Sequence, residues 1–296
     1  MKQHPRVLIY GRGFVGRRMV DAFSNVAIGT ADIAVSRDVE IEMEKIQPDV
    51  VINCAGKTGK QNIDWCERHP CRTWYSNALG AQSLGSVCQQ RQKLLIHLSS
   101  GCMFQSNSPS QVWDEKDRIQ AFNFYTRSKL FAEKALNGDH AAIVRIRLPL
   151  DFIPHSRNLL SKLIRFKVVT LAMNSVTILE DLIAAVRLII QRRATGFFHC
   201  VSPEPISLAK IKSLMRNYEL FSENFYAVNS GELAKLNLVK TQRSDAVLGI
   251  NRLLDLGFSP ESTQLAIERV VAQFSQHWHT RRRSREIGYA SQFDYV

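Results

Sequence analysis

The chain has 296 residues, 45% of them hydrophobic, enough to bury one large core or two small ones in a soluble globular protein. Its net charge of +12, from 39 Lys and Arg against 27 Asp and Glu, suits anionic partners, either nucleic acid or nucleotide-linked small molecules. No run approaches the apolar length of a membrane span, the start MKQHPR lacks the apolar core of an export signal, and cysteines 54, 66, 71, 88, 102 and 200 show neither a C-x-x-C pair nor metal-ligand spacing, so a cytoplasmic chain with reduced thiols, no membrane association and no metal is expected.

In chain order, residues 7–10 (VLIY) read as a buried strand, and Gly11, Gly13 and Gly16 follow as GxGxxG before a helix-like segment. Gly11 permits a tight turn, Gly13 lets the backbone approach a pyrophosphate, and Gly16 lets the helix pack on the strand. Gly11, Arg12, Gly13, Phe14, Val15 and Gly16 are therefore expected to hold a dinucleotide at the helix amino terminus. The second strand, 26–30, ends without the carboxylate that selects NAD, and Asp32 comes slightly late. Arg12, Arg17, Arg18 and Arg37 offer cations for a 2′-phosphate, which favours NADP(H) and leaves NAD(H) open. After a third strand, 50–54, the small residues around Cys54, Ala55 and Gly56 would let the backbone run beside the cofactor.

A helix over about 78–91 leads to a strand at 94–98, and SSGCMF then places Ser99, Ser100 and Cys102 at the carboxyl rim of the sheet. A hydroxyl there can hydrogen-bond a carbonyl oxygen, and a thiol can act as a base if a cation lowers its pKa. In YTRSK, Tyr125 and Lys129 sit at i and i+4 on one helix face, where the ammonium is expected to favour the phenolate. A strand at 142–146, a helix at 179–192 and a strand at 196–201 continue the rhythm. The whole predicts an α/β doubly wound parallel sheet of the Rossmann type. Its dinucleotide-binding domain covers 1–150 plus about 176–202, and a smaller substrate lobe covers 151–175 plus 203–280. The last helix is expected over about 262–278, so that RRRSR at 281–285 opens a basic tail, 281–296. No nucleic-acid role is expected of it.

The set GxGxxG, NCAG, Ser100 and Tyr125-x-x-x-Lys129 resembles the extended short-chain dehydrogenase/reductases, in the nucleotide-sugar branch that contains dTDP-4-dehydrorhamnose reductase. A closer likeness is to the bifunctional 3,5-epimerase/4-reductases of nucleotide-linked rhamnose, through NCAGKTGKQNIDWCERH, SNALGAQSL, SSGCMF, FYTRSK, VRIRLPL, SRNLLSKLIRFKVV and QRSDAVL. The resemblance implies that Ser100, Tyr125 and Lys129 form a reductase triad, that Asn77 helps place the lysine and a water, and that Cys102 and Lys162 serve epimerisation. It further implies that Arg157, Asn158 and Arg243 hold a nucleotide-diphosphate sugar, that the substrate is a 4-keto-6-deoxyhexose, and that the protein forms a homodimer. A monofunctional 4-reductase and a non-catalytic NAD(P)-binding regulatory subunit stay open as alternatives, as does the carrier among UDP, dTDP, GDP and CDP.

Overall fold

Short runs of Val, Ile and Leu with no polar alternation suit strands covered on both faces, and they form the central sheet. The structure is a computed structural model that describes residues 4–59, 62–106, 108 and 110–286. Its elements begin with β1 (Val7–Tyr10), α1 (Phe14–Ala22), β2 (Val26–Ile28), α2 (Ser36–Ile46), β3 (Val50–Asn53), α3 (Asp64–Arg68) and α4 (Pro70–Trp74). A π-helical turn, Tyr75–Leu79, joins α4 to α5 (Gly80–Gln90), and β4 (Leu94–Ser100) runs into a 3-10 turn, Gly101–Met103. Next come β5 (Val112–Trp113), α6 (Phe124–Leu136), β6 (Ala141–Ile146), β7 (Pro149–Leu150), α7 (Leu159–Arg165), β8 (Val168–Thr170), β9 (Met173–Asn174) and β10 (Thr177–Ile178). The chain finishes with α8 (Leu179–Arg192), β11 (Gly196–His199), β12 (Ile206–Ser207), α9 (Leu208–Arg216), β13 (Tyr226–Val228), α10 (Ser230–Lys235), β14 (Val247–Leu248), α11 (Asn251–Asp255) and α12 (Thr263–Glu286).

Six strands pair in parallel in the order β11-β6-β4-β3-β1-β2. The order reverses at β1, with β2 on one side and β3 on the other, which opens a crevice beyond their carboxyl ends. Successive side chains of each strand serve opposite faces. Ile9, Ile52, Ile96 and Val144 pack with Met19 of α1 and with Leu182, Val186 and Ile189 of α8. Leu8, Val51, Leu95 and Ile143 pack with Val39 and Met43 of α2 and with Leu84 and Val87 of α5. A separate cluster joins Leu160 and Leu163 of α7, Ile211 and Met215 of α9, and Val270 and Phe274 of α12.

The expected doubly wound parallel sheet is present, and α8 covers the expected 179–192. The carboxyl-terminal expectation is corrected: α12 continues to Glu286, so the basic cluster at 281–285 is helical. Arginine is a good helix former, and the added turns are anchored where Arg281 Nη1 donates to the Pro154 carbonyl at 2.7 Å and His279 Nε2 meets the Tyr218 carbonyl at 3.3 Å. The rest of the expected tail, 287–296, lies outside the described residues.

Candidate active site

The β1–α1 turn occupies the reversal point of the sheet. Gly11 has φ 99°, and a Cβ there would lie 2.5 Å from the Ala55 nitrogen, while one at Gly16 would lie 1.8 Å from the Gly11 oxygen, so neither position admits a side chain. Gly13 differs, because a Cβ there would meet nothing within 4 Å. Gly13 is also the N-cap of α1 and supplies no side-chain cap, so the first-turn amides are free to face an anion. Both observations fit a dinucleotide diphosphate. Phe14 is buried with His155 stacked on it at 4.9 Å, and Val15 packs against the sheet core.

The expected cations divide into two groups. Arg12 and Arg17 are exposed, with Arg17 Nε donating to the Arg12 carbonyl at 3.1 Å. Arg18 is corrected: its Nε pairs with buried Asp151 at 2.7 Å and its guanidinium lies over Phe152, leaving it committed to the fold. Arg37 pairs with Glu40 at 3.5 Å. Asp32 stands beyond β2, where its carboxylate accepts from the Tyr75 hydroxyl and the Ala34 amide, each at 3.0 Å.

The start of α6 is fixed by a capping box. Asn123 Oδ1 accepts from the Thr126 amide at 2.8 Å, and Thr126 Oγ1 accepts from the Asn123 amide at 3.1 Å. That start turns Tyr125 and Lys129 together toward the end of β4, and Ser100, Tyr125 and Lys129 are all buried. The Ser100 hydroxyl accepts from the Cys102 amide at 3.2 Å and meets the Tyr125 phenol. Lys129 Nζ donates to the Leu98 carbonyl at 3.0 Å. A Cβ on Gly56 would lie 3.5 Å from that Nζ and 3.3 Å from Asn77 Oδ1, so the lysine, the asparagine and the strand-end glycine converge. Asn77 lies in the π-helical turn, a local widening that often marks a functional position. Its Oδ1 accepts from the Lys57 amide at 2.6 Å, and its Nδ2 donates to the Lys57 carbonyl at 3.0 Å and to Ser128 Oγ at 3.1 Å.

Desolvation dominates the electrostatics. Burial raises the Tyr125 phenol well above its ordinary range, Cys102 and Cys66 add to the rise, and the Ser100 hydroxyl opposes it. Burial pulls the Lys129 ammonium down to about 8 against the charges of Glu133 and Cys54. Burial also pushes the Cys54 thiol up to about 12, with Lys129 opposing. The expectation that Lys129 holds Tyr125 toward phenolate is therefore corrected, since the ammonium is turned to a backbone carbonyl and burial outweighs it. A phenol raised in this way is a neutral proton donor at physiological pH.

Two buried arginines that sequence reasoning did not single out support this arrangement. Glu133, one turn beyond Lys129, accepts from Ser99 Oγ at 2.5 Å and from Arg145 Nη2 at 2.8 Å, fastening α6 to β4 and β6. Arg147 is 1% exposed. Its Nη1 donates to Ser244 Oγ at 2.8 Å and to the Gly101 carbonyl at 3.3 Å, and its Nη2 donates to Asn174 and to the Ser244 carbonyl. The signal was present in VRIRLPL, where charges interrupt an apolar strand and must find partners once buried.

In α7, half-buried Lys162 has its ammonium lowered by burial and by Arg157, while Cys102 opposes the shift, so these three groups share one neighbourhood. The Arg157 guanidinium donates to Thr58 Oγ1. Arg243 Nη2 pairs with Asp64 at 2.9 Å, and its Nη1 is buried without a hydrogen-bond partner. Asn158 departs from the expectation of a substrate ligand. Its amide caps α7 through the Leu160 nitrogen at 3.1 Å and closes the 151–153 loop by donating to the carbonyls of Asp151 and Ile153, so its polar atoms are consumed within the fold. A cavity of about 640 Å³ near Arg165, Lys212, Trp278 and Arg281 touches none of these site residues. All six cysteines are free thiols. Among the described residues, no His, Cys, Asp and Glu cluster could hold a metal ion and no helix is long and apolar enough to cross a membrane.

Comparison with known proteins matches residues 5–276 to the family described as RmlD substrate binding domain. A bifunctional dTDP-4-dehydrorhamnose 3,5-epimerase/dTDP-4-dehydrorhamnose reductase of Arabidopsis thaliana is 28% identical over 224 residues, 71% of this chain and 74% of that protein. A trifunctional UDP-glucose 4,6-dehydratase/UDP-4-keto-6-deoxy-D-glucose 3,5-epimerase/UDP-4-keto-L-rhamnose-reductase of the same organism is 26% identical over 226 residues, 72% of this chain, which spans only 34% of that longer protein. Among solved structures, the L780 UDP-rhamnose synthase of Acanthamoeba polyphaga mimivirus superposes with a TM-score of 0.85 at 24% identity, covering 91% of this chain and 99% of that one. A dTDP-4-dehydrorhamnose reductase of Bacillus anthracis in complex with NADP gives 0.79 at 21% identity, covering 92% and 99%.

Proposed function

The chain belongs to the RmlD substrate-binding-domain family, and from that membership we propose that it is an NADPH-dependent 4-reductase of a nucleotide-linked 4-keto-6-deoxyhexose that also epimerises C3 and C5. The observation that carries the reading is the placement of buried Ser100 at the end of β4 and of buried Tyr125 and Lys129 one turn apart on α6, with Lys129 held by the Leu98 carbonyl and Asn77 and Gly56 converging on it. The relatives named for rhamnose-type reduction, and the NADP complex of the Bacillus anthracis reductase, point the same way. Segments 151–175 and 203–280 are proposed as the substrate lobe.

NADPH, when bound along Gly11 to Gly16 and beside Cys54, Ala55 and Gly56, would supply a hydride to C4. Tyr125, buried and neutral, gives its proton to the C4 oxygen, and the Ser100 hydroxyl polarises that oxygen by donating to it. Lys129, held by the Leu98 carbonyl and lowered to about 8, replenishes the phenol's proton with the help of Asn77. Before reduction, the 4-keto group acidifies the protons on C3 and C5. Cys102 removes a proton from one face, and Lys162 returns one from the other, which its lowered ammonium pKa favours. Arg157 and Arg243 take the diphosphate as charge-assisted donors.

The test is incubation of the purified protein with NADPH and UDP-, dTDP-, GDP- and CDP-linked 4-keto-6-deoxyglucose. NADPH oxidation with at least one carrier is expected, and in deuterium oxide the product should carry label at C3 and C5. Cys102→Ala should keep NADPH binding and stop that exchange. Oxidation only with pre-epimerised sugar would reduce the reading to a plain 4-reductase, and no oxidation with any carrier would overturn it.

A further inference from the structure

Arg243 is half used by the fold. Its Nη2 donates to Asp64 Oδ2 at 2.9 Å, while its Nη1 is shut away from solvent with no acceptor. A guanidinium nitrogen left in that state is costly unless a ligand supplies the missing acceptor. The Asp64 side chain also receives the Thr241 amide at 3.0 Å on its other oxygen, so one carboxylate fixes both the guanidinium and the backbone two residues before it. Burial opposes the ionised form, but the hydrogen bonds from Arg243 and Thr241 outweigh it and hold the carboxyl below its ordinary range, so it is charged at neutral pH.

We propose that Asp64 is a positioning residue that orients Arg243 so that Nη1 receives a phosphoryl oxygen of the nucleotide-diphosphate substrate. The proposal rests on the reading of Arg243 as a diphosphate ligand. An arginine fork can serve a carboxylate through one nitrogen and a phosphate through the other, which keeps the two anions on opposite sides of the cation. Asp64 opens α3, and Glu67 in the same short helix accepts the Phe124 amide at 2.6 Å, one residue before Tyr125. The helix that sets the diphosphate arginine thus also braces the turn of α6 that presents the phenol. Arg157, whose guanidinium donates to Thr58, adds a second tie from the segment after β3 to the proposed substrate lobe.

The experiment is calorimetric titration of UDP and dTDP into protein saturated with NADPH, which blocks the dinucleotide site. Asp64→Asn should weaken nucleoside-diphosphate binding roughly tenfold while NADPH affinity stays at the wild-type value. Arg243→Ala should weaken it at least as far, and the double variant should bind no worse than Arg243→Ala alone, because the carboxylate acts through the arginine. A further loss in the double variant would show that Asp64 acts by another route and overturn the proposal. Tighter binding by Asp64→Asn would make the carboxylate a competitor and overturn it equally. Unchanged binding by Arg243→Ala would instead remove the diphosphate reading of Arg243 itself. Should Asp64→Asn lose NADPH binding, Arg243→Lys carries the same test, since lysine lacks the two separate terminal nitrogens by which the guanidinium keeps Asp64 on one and offers the other to a phosphate. It is expected to bind nearly as poorly as Arg243→Ala, and wild-type affinity would overturn the proposal.

Discussion

Lys129 is 5% exposed, and its ammonium sits at about 8 against an ordinary 10.5, with burial the leading cause. At neutral pH the fold therefore carries a charge it has largely stripped of water, at a cost of about 3 kcal/mol. Methionine has a similar unbranched shape and no charge, so Lys129→Met removes that cost. It also leaves the Leu98 carbonyl without its donor, which returns about 1–3 kcal/mol. The net expectation is a variant more stable by about 1 kcal/mol near pH 7, a few degrees in Tm, and with reductase activity lowered by roughly a thousandfold. The folded pKa lies below the unfolded one, so between pH 8 and 10.5 the unfolded chain holds more protons and wild-type stability rises with pH. The advantage of the variant should be full below pH 8, vanish about one pH unit higher, and turn into a deficit of about 1–3 kcal/mol by pH 10.5, where the desolvation cost is gone and only the lost hydrogen bond to the Leu98 carbonyl remains. Denaturant titrations of both proteins across that range measure it. A variant less stable than wild type at neutral pH, or an offset that does not change with pH, would refute the desolvation argument.

Tyr125→Phe should lower kcat by about 10²–10⁴-fold with little change in KM, since the phenol is needed as the proton donor; steady-state kinetics would expose an inert substitution. Gly13→Ala should leave Tm nearly unchanged and raise the Kd for NADPH about tenfold or more, because the added methyl meets no protein atom and stands only in the ligand's path. Gly16→Ala should instead cost roughly 3 kcal/mol of stability, its methyl being driven into the Gly11 carbonyl, so equal melting curves for the two alanine variants would contradict the loop geometry. His199 is lowered to about 3, first by burial and then by Arg145, so the unfolded chain binds the extra proton between pH 6.5 and 3. Stability should therefore be lost as the pH drops through that window, by up to about 1.4 kcal/mol per pH unit, and His199→Gln should flatten the slope measured by urea titration.

The sheet was legible because its strands are short unbroken apolar runs between glycines and polar turns, as in VLIYGRG and VVINCAG, and the glycine spacing has few other physical uses. The placement of Ser100 at the end of β4 and of Tyr125 and Lys129 one turn apart on α6 was equally readable, from a strand end and from helical spacing. The sense of the tyrosine's pKa was not, because spacing says that an ammonium is near and nothing about how much water both groups lose. Arg18 and Asn158 were misassigned for a related reason. A sequence shows that a guanidinium or an amide is available, but its partner, Asp151 in both cases, comes from a segment far along the chain or across a loop. The end of α12 was misjudged because apolar periodicity stops at Trp278, while the next turns are held by contacts to the Pro154 and Tyr218 carbonyls.

Arg147 bears on how this polypeptide can be taken apart. Its guanidinium knots together stretches around 101, 174 and 244 that lie far apart in the linear chain. A fragment ending near 202 would keep every strand of the six-stranded sheet and yet lose the Ser244 acceptors that fix this cation, opening to water a face that the whole chain covers. Excising the part that ends near 202 as a stand-alone module would therefore forfeit the Arg147 anchor at Ser244. Chain breaks that keep 101, 147, 174 and 244 within one assembled piece, such as new termini placed at the exposed Leu236–Leu238 stretch and rejoined by complementation, respect the knot.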